Sequence, residues 1–179
     1  MADNVVLVGF MGAGKSSVGR ILARRLGRCL IETDAMIMAS EGRSIPEIFA
    51  AEGEAYFRAA ETEALRLLAM KHGEVIATGG GLPCREGRPD ALRALGTVVW
   101  LSGELDTLVD RALRGGERPM LAGKSRDEMR ALYQAREPFY RQADVTVDTT
   151  GRSTDQVAAD VIRALRSGRP AASTSRSLA

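Results

Sequence analysis

The chain has 179 residues, enough for one domain with an apolar core, and we expect a single domain over residues 1–167. Its 25 basic and 23 acidic side chains leave a net charge of +2, which is too small for a general nucleic-acid binder. Two cysteines, Cys29 and Cys84, are too few for a disulfide framework or a zinc cluster, and no apolar run approaches the roughly 18 residues of a membrane span. We therefore expect a cytoplasmic monomer without nucleic-acid or membrane partners.

Five short runs rich in β-branched residues predict the strands. They lie at 5–8, 29–32, 74–78, 97–101 and 145–148, and longer segments with helical periodicity separate them. This alternation predicts a five-stranded parallel sheet with helices on both faces, which is a three-layer α/β fold.

The ends of several helices are marked in the sequence. The first helix has apolar residues at Val18, Ile21, Leu22 and Leu26, and Gly27 is placed to end it. Capping-box patterns predict three later helix starts, SIPE at 44–47, SRDE at 125–128 and STDQ at 153–156. Residues 168–179 are almost devoid of apolar side chains, so we expect a disordered tail there.

The segment GFMGAGKS, residues 9–16, matches the phosphate-binding pattern G-x-x-x-x-G-K-[ST] without a mismatch. A predicted strand precedes it and a helix follows, so backbone N–H groups converge where a phosphate chain can lie. Lys15 would reach the β- and γ-phosphates, and the Ser16 hydroxyl would ligate Mg²⁺. The expected nucleotide-binding residues are Gly12, Ala13, Gly14, Lys15, Ser16 and Ser17. The pattern alone does not distinguish a kinase from a switch or a motor ATPase.

Two carboxylates, Glu32 and Asp34, follow the second predicted strand. With the alternation of a strand they would point to the same side, at the sheet edge where α/β proteins bind ligands. One could orient metal-bound water, and the other could accept a proton from an acceptor hydroxyl. The alternative is that Asp34 only caps the next helix.

Other candidates lie further along the chain. Arg58 and Glu61 share a helix face, and most such pairs are solvated ion pairs. The run 79–81 (GGG) follows the third strand and would let a ligand lie against bare backbone, with a flexible loop as the alternative. Arg118, in a glycine-flanked segment, could close on a phosphoryl group, and Arg136 could clamp a carboxylate, although each could also be a surface arginine.

Taken together, these segments resemble the shikimate kinases from about Val5 to about Leu165. The matching stretches are GFMGAGKSSVGR, ETDAMI, GRSIPEIFAAEGEAYFRAAE, TGGG, RPMLAG and REPFYRQAD. The resemblance implies a P-loop kinase fold with strand order 2-3-1-4-5. It also implies transfer of the γ-phosphoryl group of ATP to the 3-hydroxyl of shikimate, on the route to chorismate and the aromatic amino acids.

The resemblance further implies roles for individual residues. The catalytic residues would be Lys15, Asp34 and Arg118, and the shikimate-binding residues would be Asp34, Arg58, Gly79, Gly80, Gly81 and Arg136. Arg111, Arg118 and Arg152 would contact ATP. The substrate-binding region would span about 33–61 and a lid about 112–125. Glu32 replaces an aspartate usual in the family, so we expect an altered Mg²⁺ requirement at a site formed with Ser16.

Two other functions remain open from the residues. A gluconate kinase or a nucleoside monophosphate kinase would share the fold and the phosphate-binding loop. The arginine pair beside a glycine run favours a carboxylate substrate over a nucleotide. A nucleotide-controlled switch is the other class, although the guanine-reading pattern N-K-x-D is absent from the sequence.

Overall fold

The computed structural model describes residues 3–114 and 125–167. Within these ranges, five parallel strands form one sheet and seven helices surround it. The strands are β1 (Asn4–Val8), β2 (Leu30–Glu32), β3 (Val75–Ala77), β4 (Gly96–Ser102) and β5 (Val145–Asp148). The helices are α1 (Lys15–Leu26), α2 (Thr33–Glu41), α3 (Ile45–Leu68), α4 (Arg88–Leu95), α5 (Leu105–Arg114), α6 (Arg126–Tyr140) and α7 (Thr154–Ser167). Each predicted strand is confirmed to within one residue at either end.

The strand order is β2-β3-β1-β4-β5, as the family resemblance implied. β1 lies in the centre of the sheet, where Val6 pairs with Ile76 of β3 and with Val98 of β4. Every residue of β1 and β3 is buried. Because helices cover both faces of a parallel sheet, its inner strands are mostly apolar rather than alternating.

Helix α1 ends as predicted and packs closely on the sheet. Gly27 adopts the left-handed conformation, with φ of 65°, that ends the helix. Gly19 lies on the buried face of α1, and a Cβ built on it would be only 2.9 Å from Cδ1 of Leu30. The absence of a side chain at this position therefore sets how closely α1 approaches β2.

The predicted capping boxes are confirmed, and the first of them starts the long helix α3. The Ser44 N–H donates to Oε2 of Glu47 at 2.7 Å, and the Glu47 N–H donates to the Ser44 hydroxyl at 3.4 Å. Ser125 and Ser153 cap α6 and α7 in the same way. Within α3, Gly53 has φ of 79° and ψ of −179°, so the helix is kinked there.

Two groups of buried apolar side chains hold the fold together. The larger includes the inner strands and the helices packed on the sheet. A smaller group lies between α2 and α3 and consists of Ile37, Ile48, Phe57 and Ala64. We call it the α2–α3 cluster. The smaller group thus supports α2 and the front of α3, whereas the sheet, α1 and α6 belong to the larger one.

Part of the predicted organisation lies beyond the described residues. Residues 115–124 of the predicted lid and the predicted tail at 168–179 lie outside the ranges that the structure describes. In the ranges it does describe, none of the helices combines the length and apolar character needed to cross a lipid bilayer.

Candidate active site

A cleft of about 440 Å³ lies at the carboxyl ends of β1 and β3. Open α/β sheets bind ligands at this edge. Eleven of the predicted site residues line it together: Gly12, Gly14, Lys15, Ser16, Ser17, Asp34, Arg58, Gly79, Gly80, Gly81 and Arg136. The phosphate-binding loop and the predicted acceptor residues therefore share one cavity, although they come from segments far apart in the sequence.

The loop from β1 to α1 has the backbone geometry of an anion site. Gly14, with φ of 84°, leads into α1, and no side chain of the described residues caps the N-terminus of this helix. Its first N–H groups and its positive dipole end are thus directed at the cleft. Gly12, with φ of 79°, lies so close to α5 that a Cβ would be 2.9 Å from the carbonyl carbon of Leu108. Only glycine fits at this position.

Lys15 and Ser16 are placed where the motif predicts, whereas Ala13 lies beneath the loop. The ammonium group of Lys15 donates to the carbonyls of Gly9 and Phe10, at 2.8 and 3.0 Å, within its own loop. The Ser16 side chain is exposed at the start of α1. Ala13 is buried and does not line the cleft, so any contribution it makes to nucleotide binding comes from its backbone.

The structure corrects the expected geometry of Glu32 and Asp34. β2 ends at Glu32 and α2 begins at Thr33, so strand alternation does not extend to Asp34. Asp34 lines the cleft from the first turn of α2, whereas Glu32 does not line it. Asp34 is not the capping residue either, because the N-cap position of α2 is Glu32.

The Asp34 carboxylate is held against the glycine run after β3. The Gly79 N–H donates to Oγ1 of the buried Thr33 at 2.9 Å, which ties the start of α2 to this run. A Cβ built on Gly79 would be 3.0 Å from Cγ of Asp34 and closer still to Oδ1. Residue 79 therefore has to be glycine for Asp34 to keep its place.

Arg58 and Glu61 do not form the solvated pair that their spacing favoured. Glu61 is only 2% exposed, and both of its carboxylate oxygens accept from Nη1 of Arg58, at 3.0 and 3.1 Å. Nε and Nη2 of Arg58 donate to Glu54 at 3.0 and 2.8 Å. The guanidinium is thus held by two carboxylates of α3, of which Glu61 lines the cleft with Arg58 whereas Glu54 is exposed.

Burial governs the ionisation of Glu61. It raises the pKa of this carboxyl, while the hydrogen bond and the charge of Arg58 act in the opposite direction. Arg88 is a second nearby cation, itself only 9% exposed, and it donates to Oγ1 of Thr62 at 2.6 Å. Sequence reasoning missed Arg88, because its place beside α3 depends on how α4 packs.

The glycine run brings the two carboxylate-binding candidates together. A Cβ built on Gly81 would be 3.4 Å from Nη2 of Arg136 and 3.6 Å from Nη1 of Arg58. The loop is also held by its own backbone, since the Leu82 N–H donates to the Gly79 carbonyl at 3.2 Å and the Cys84 N–H donates to the Gly81 carbonyl at 3.1 Å. The run is therefore a defined turn beside two guanidinium groups.

Two other predicted residues lie outside the cleft, and a third lies outside the described ranges. Arg111 donates to the side chain and the carbonyl of Thr149, at 3.1 and 2.9 Å, and Arg152 pairs with Asp160. Neither arginine lines the cleft. Arg118 lies outside the described residues, so its predicted contact with the transferring phosphoryl group stays a prediction.

An apolar wall, which the sequence reasoning missed, closes the acceptor side of the cleft. The rings of Phe49 and Phe57 lie 4.7 Å apart at 38°, and the Arg58 guanidinium lies 5.5 Å from the centre of the Phe57 ring. Met38, Ile45 and Pro46 complete this side. The eight-residue spacing of the two phenylalanines was a usable signal, because it places both on one face of a helix.

The oxygen donors of the cleft suit a hard cation that is held mainly by a bound nucleotide rather than by protein side chains. The described residues contain no group of three or more His, Cys, Asp or Glu side chains able to hold a metal ion. The cleft instead offers the hydroxyl of Ser16 and the carboxylate of Asp34. Mg²⁺ is commonly bound in this way, through one or two protein oxygens, water and substrate phosphates. The residues present therefore fit Mg²⁺ bound together with a nucleotide.

Comparison with known proteins agrees with this geometry. The family model described as shikimate kinase matches residues 11–166. A shikimate kinase from Symbiobacterium thermophilum is 47% identical over 91% of this chain and 96% of its own length. The solved structure of a shikimate kinase from Acinetobacter baumannii in complex with shikimate has a TM-score of 0.87 and 36% identity, covering 93% of this chain and 94% of that chain. A crystal structure from Aquifex aeolicus gives a TM-score of 0.82 at 35% identity, over 91% of this chain and 96% of that one. The chain therefore belongs to the shikimate kinase family.

Proposed function

We propose that this protein transfers the γ-phosphoryl group of ATP to the 3-hydroxyl of shikimate, yielding shikimate 3-phosphate and ADP on the route to chorismate. The observation that carries this proposal is the meeting, in one cleft, of the phosphate-binding loop, the Asp34 carboxylate and the guanidinium groups of Arg58 and Arg136. A gluconate or nucleoside monophosphate kinase is not favoured, because the family match covers residues 11–166.

The phosphate side of the reaction belongs to the loop and to α1. The N–H groups at the start of α1 would bind phosphate oxygens, and Lys15 would exchange the carbonyls of Gly9 and Phe10 for the β- and γ-phosphates. Ser16 would hold Mg²⁺, and Glu32, which does not line the cleft, would act on the metal only through water. When bound, Mg²⁺ supplies charge neutralisation to the phosphates. Arg118 would add a guanidinium at the transferring group, and Arg111 and Arg152 would lie on the adenine side.

The acceptor side belongs to α2, α3, the glycine run and α6. Arg58 and Arg136 would bind the shikimate carboxylate, since both guanidinium groups lie beside Gly81 in the cleft. The backbone of Gly79, Gly80 and Gly81, which lines the cleft, would bind the ring hydroxyls. The apolar wall of Phe49 and Phe57 would lie against the ring and exclude water.

The chemical step then needs one proton acceptor. The 3-hydroxyl oxygen forms a bond to the γ-phosphorus while the bond from this phosphorus to the β–γ bridging oxygen breaks. Asp34 takes the hydroxyl proton, and ADP leaves. A general base of this kind contributes about 10²–10⁴ in rate. We assign the reaction to a monomer in the cytoplasm.

A coupled assay of ADP formation with ATP and Mg²⁺ tests the proposal. We expect turnover that depends on shikimate, and a thermal shift with shikimate but none with gluconate or a nucleoside monophosphate. Turnover with gluconate or a nucleoside monophosphate in place of shikimate would favour another small-molecule kinase. ATP hydrolysis unaffected by any of these acceptors would favour a nucleotide-controlled switch.

A further inference from the structure

The hydroxyl of Tyr140 is bonded to the backbone of the glycine run. It donates to the Gly80 carbonyl at 2.6 Å, across 60 positions of sequence. Tyr140 is fully buried at the end of α6, whereas Gly80 lines the cleft. This contact therefore reaches from the core to the floor of the acceptor site.

The tyrosine ring has little freedom to move. It stacks on Trp100 of β4, with the ring centres 6.3 Å apart and an angle of 27° between the planes. The Cys84 thiol also donates to the Gly80 carbonyl, at a longer distance of 3.5 Å. Burial raises the pKa of the Tyr140 hydroxyl, so it stays protonated at neutral pH and remains a donor. The Gly80 carbonyl therefore keeps its hydrogen bond from Tyr140 at neutral pH.

The orientation of this carbonyl fixes the neighbouring N–H group. The described chain has no cis peptide bond, and in a trans peptide the carbonyl and the following N–H point in opposite directions. Because the Gly80 carbonyl is directed at Tyr140, the N–H of Gly81 is directed away from it. Gly81 is the residue beside the guanidinium groups of Arg58 and Arg136, since a Cβ built on it would be 3.6 Å from one and 3.4 Å from the other.

Tyr140 and Arg136 are also linked through their helix. They are four residues apart on α6 and therefore lie on the same face, one turn from each other. One end of α6 thus supplies a carboxylate-binding guanidinium and, through Tyr140, holds the glycine run at a fixed distance from it.

We propose that Tyr140 is a positioning residue for the acceptor substrate. It keeps the Gly80–Gly81 peptide at a fixed distance from the Arg136 guanidinium. The inference rests on the proposed function, in which both groups bind shikimate. It assigns Tyr140 no contact with ATP and no part in proton transfer. Loss of its hydroxyl should therefore weaken acceptor binding and leave the nucleotide side unchanged.

The test is steady-state kinetics of Tyr140→Phe beside the parent enzyme. This variant keeps the ring against Trp100 and removes only the donor. Loss of a neutral hydrogen bond of this kind changes an equilibrium constant by a factor of about five to ten. We expect the KM for shikimate to rise about tenfold, with kcat and the KM for ATP each within about twofold of the parent. Emission of Trp100, the single tryptophan of the sequence, reports whether the ring packing is retained.

Tyr133→Phe is the matched control. Tyr133 lies on the same helix, with its ring edge-on to Phe10 at 5.3 Å, and we expect its variant to behave as the parent. An unchanged KM for shikimate in Tyr140→Phe, beside an active parent, would overturn this inference alone. A parallel rise in both KM values with altered Trp100 emission would also overturn it, since that pattern indicates a general packing defect. A parent without shikimate-dependent turnover would overturn the proposed function and this inference together.

Discussion

The carboxylate of Asp34 occupies the space that a side chain on residue 79 would need. A Cβ on Gly79 would be 3.0 Å from Cγ of Asp34 and 3.1 Å from its Oδ2. The contact places the proposed general base directly against the glycine run that we propose binds the acceptor. The position of Asp34 is thus set from two sides, by the start of α2 and by the glycine run.

Gly79→Ala should therefore displace Asp34 while the fold is retained. Gly79 has no positive φ, so alanine is tolerated by the backbone and only the contact with the carboxylate is lost. We expect kcat to fall by about 10² or more, as for partial loss of a general base. Gly80→Ala is the control, because its Cβ would meet no atom closer than 3.7 Å. That variant should change the KM for shikimate more than kcat, and equal losses of kcat in the two variants would contradict this account.

Asp34→Asn tests the base role directly. The amide keeps the shape of the side chain but cannot take up the proton, so kcat should fall by about 10²–10⁴. A near-normal kcat would remove Asp34 from this role.

Arg118→Ala should lower kcat by about 10³–10⁵, the range found for an arginine at a transferring phosphoryl group. Circular dichroism of both variants should match that of the parent.

Glu32→Asp tests the proposed metal side. Glu32 ends β2 and acts, in our proposal, through metal-bound water, so shortening its side chain should change the Mg²⁺ concentration that gives half-maximal rate. The measurement is a Mg²⁺ titration at saturating ATP and shikimate. Glu63→Asp, on an exposed part of α3, is the control and should leave the titration unchanged. An identical curve for Glu32→Asp and the parent would count against any metal-side role for Glu32.

The burial of Glu61 predicts a pH-dependent contribution to stability. Because burial raises its pKa above the ordinary 4.5, Glu61 contributes stability that is present below 4.5 and is lost as the pH rises through the folded-state pKa. Glu61→Gln removes this ionisation. The free energy of unfolding of the variant should therefore increase relative to that of the parent as the pH rises above 4.5.

Urea unfolding of both proteins between acid and neutral pH measures this difference. Glu63→Gln is a control of opposite sign, because the hydrogen bond from Arg66 lowers the pKa of Glu63. The parent should become more stable relative to Glu63→Gln as the pH rises. A pH-independent difference between Glu61→Gln and the parent would show that the Glu61 carboxyl ionises alike in the folded and unfolded chains.

The capping box of α3 should contribute to global stability. Ser44→Ala removes the acceptor for the Glu47 N–H, and loss of a serine cap typically lowers the free energy of unfolding by about 1 kcal/mol. Ser40→Ala, at an exposed position within α2, should stay within about 0.5 kcal/mol of the parent. Urea unfolding measures both free energies of unfolding, and equal values for the two variants would show that the Ser44 cap does not stabilise the protein.

The sequence predicted local features well because short-range chemistry determines them. β-branched runs marked the strands, serine and glutamate pairs marked helix starts, and the phosphate-binding pattern located Lys15 and Ser16. The start of α2 was misjudged, because Thr33 is fixed by a bond from the distant Gly79. Local sequence patterns could likewise not predict the burial of Glu61 or the Tyr140–Gly80 contact, since both depend on how segments distant in the sequence pack together.

The α2–α3 cluster has a consequence for how the cleft opens. Its four side chains are largely separate from the main core, and the kink at Gly53 interrupts the helix that carries three of them. A region with a small core of its own opens at a lower free energy than the whole protein. We therefore expect the α2–α3 side of the cleft to open more readily than the phosphate-binding loop, which follows the fully buried strand β1. Amide hydrogen exchange should accordingly be faster in α2 and the front of α3 than in β1.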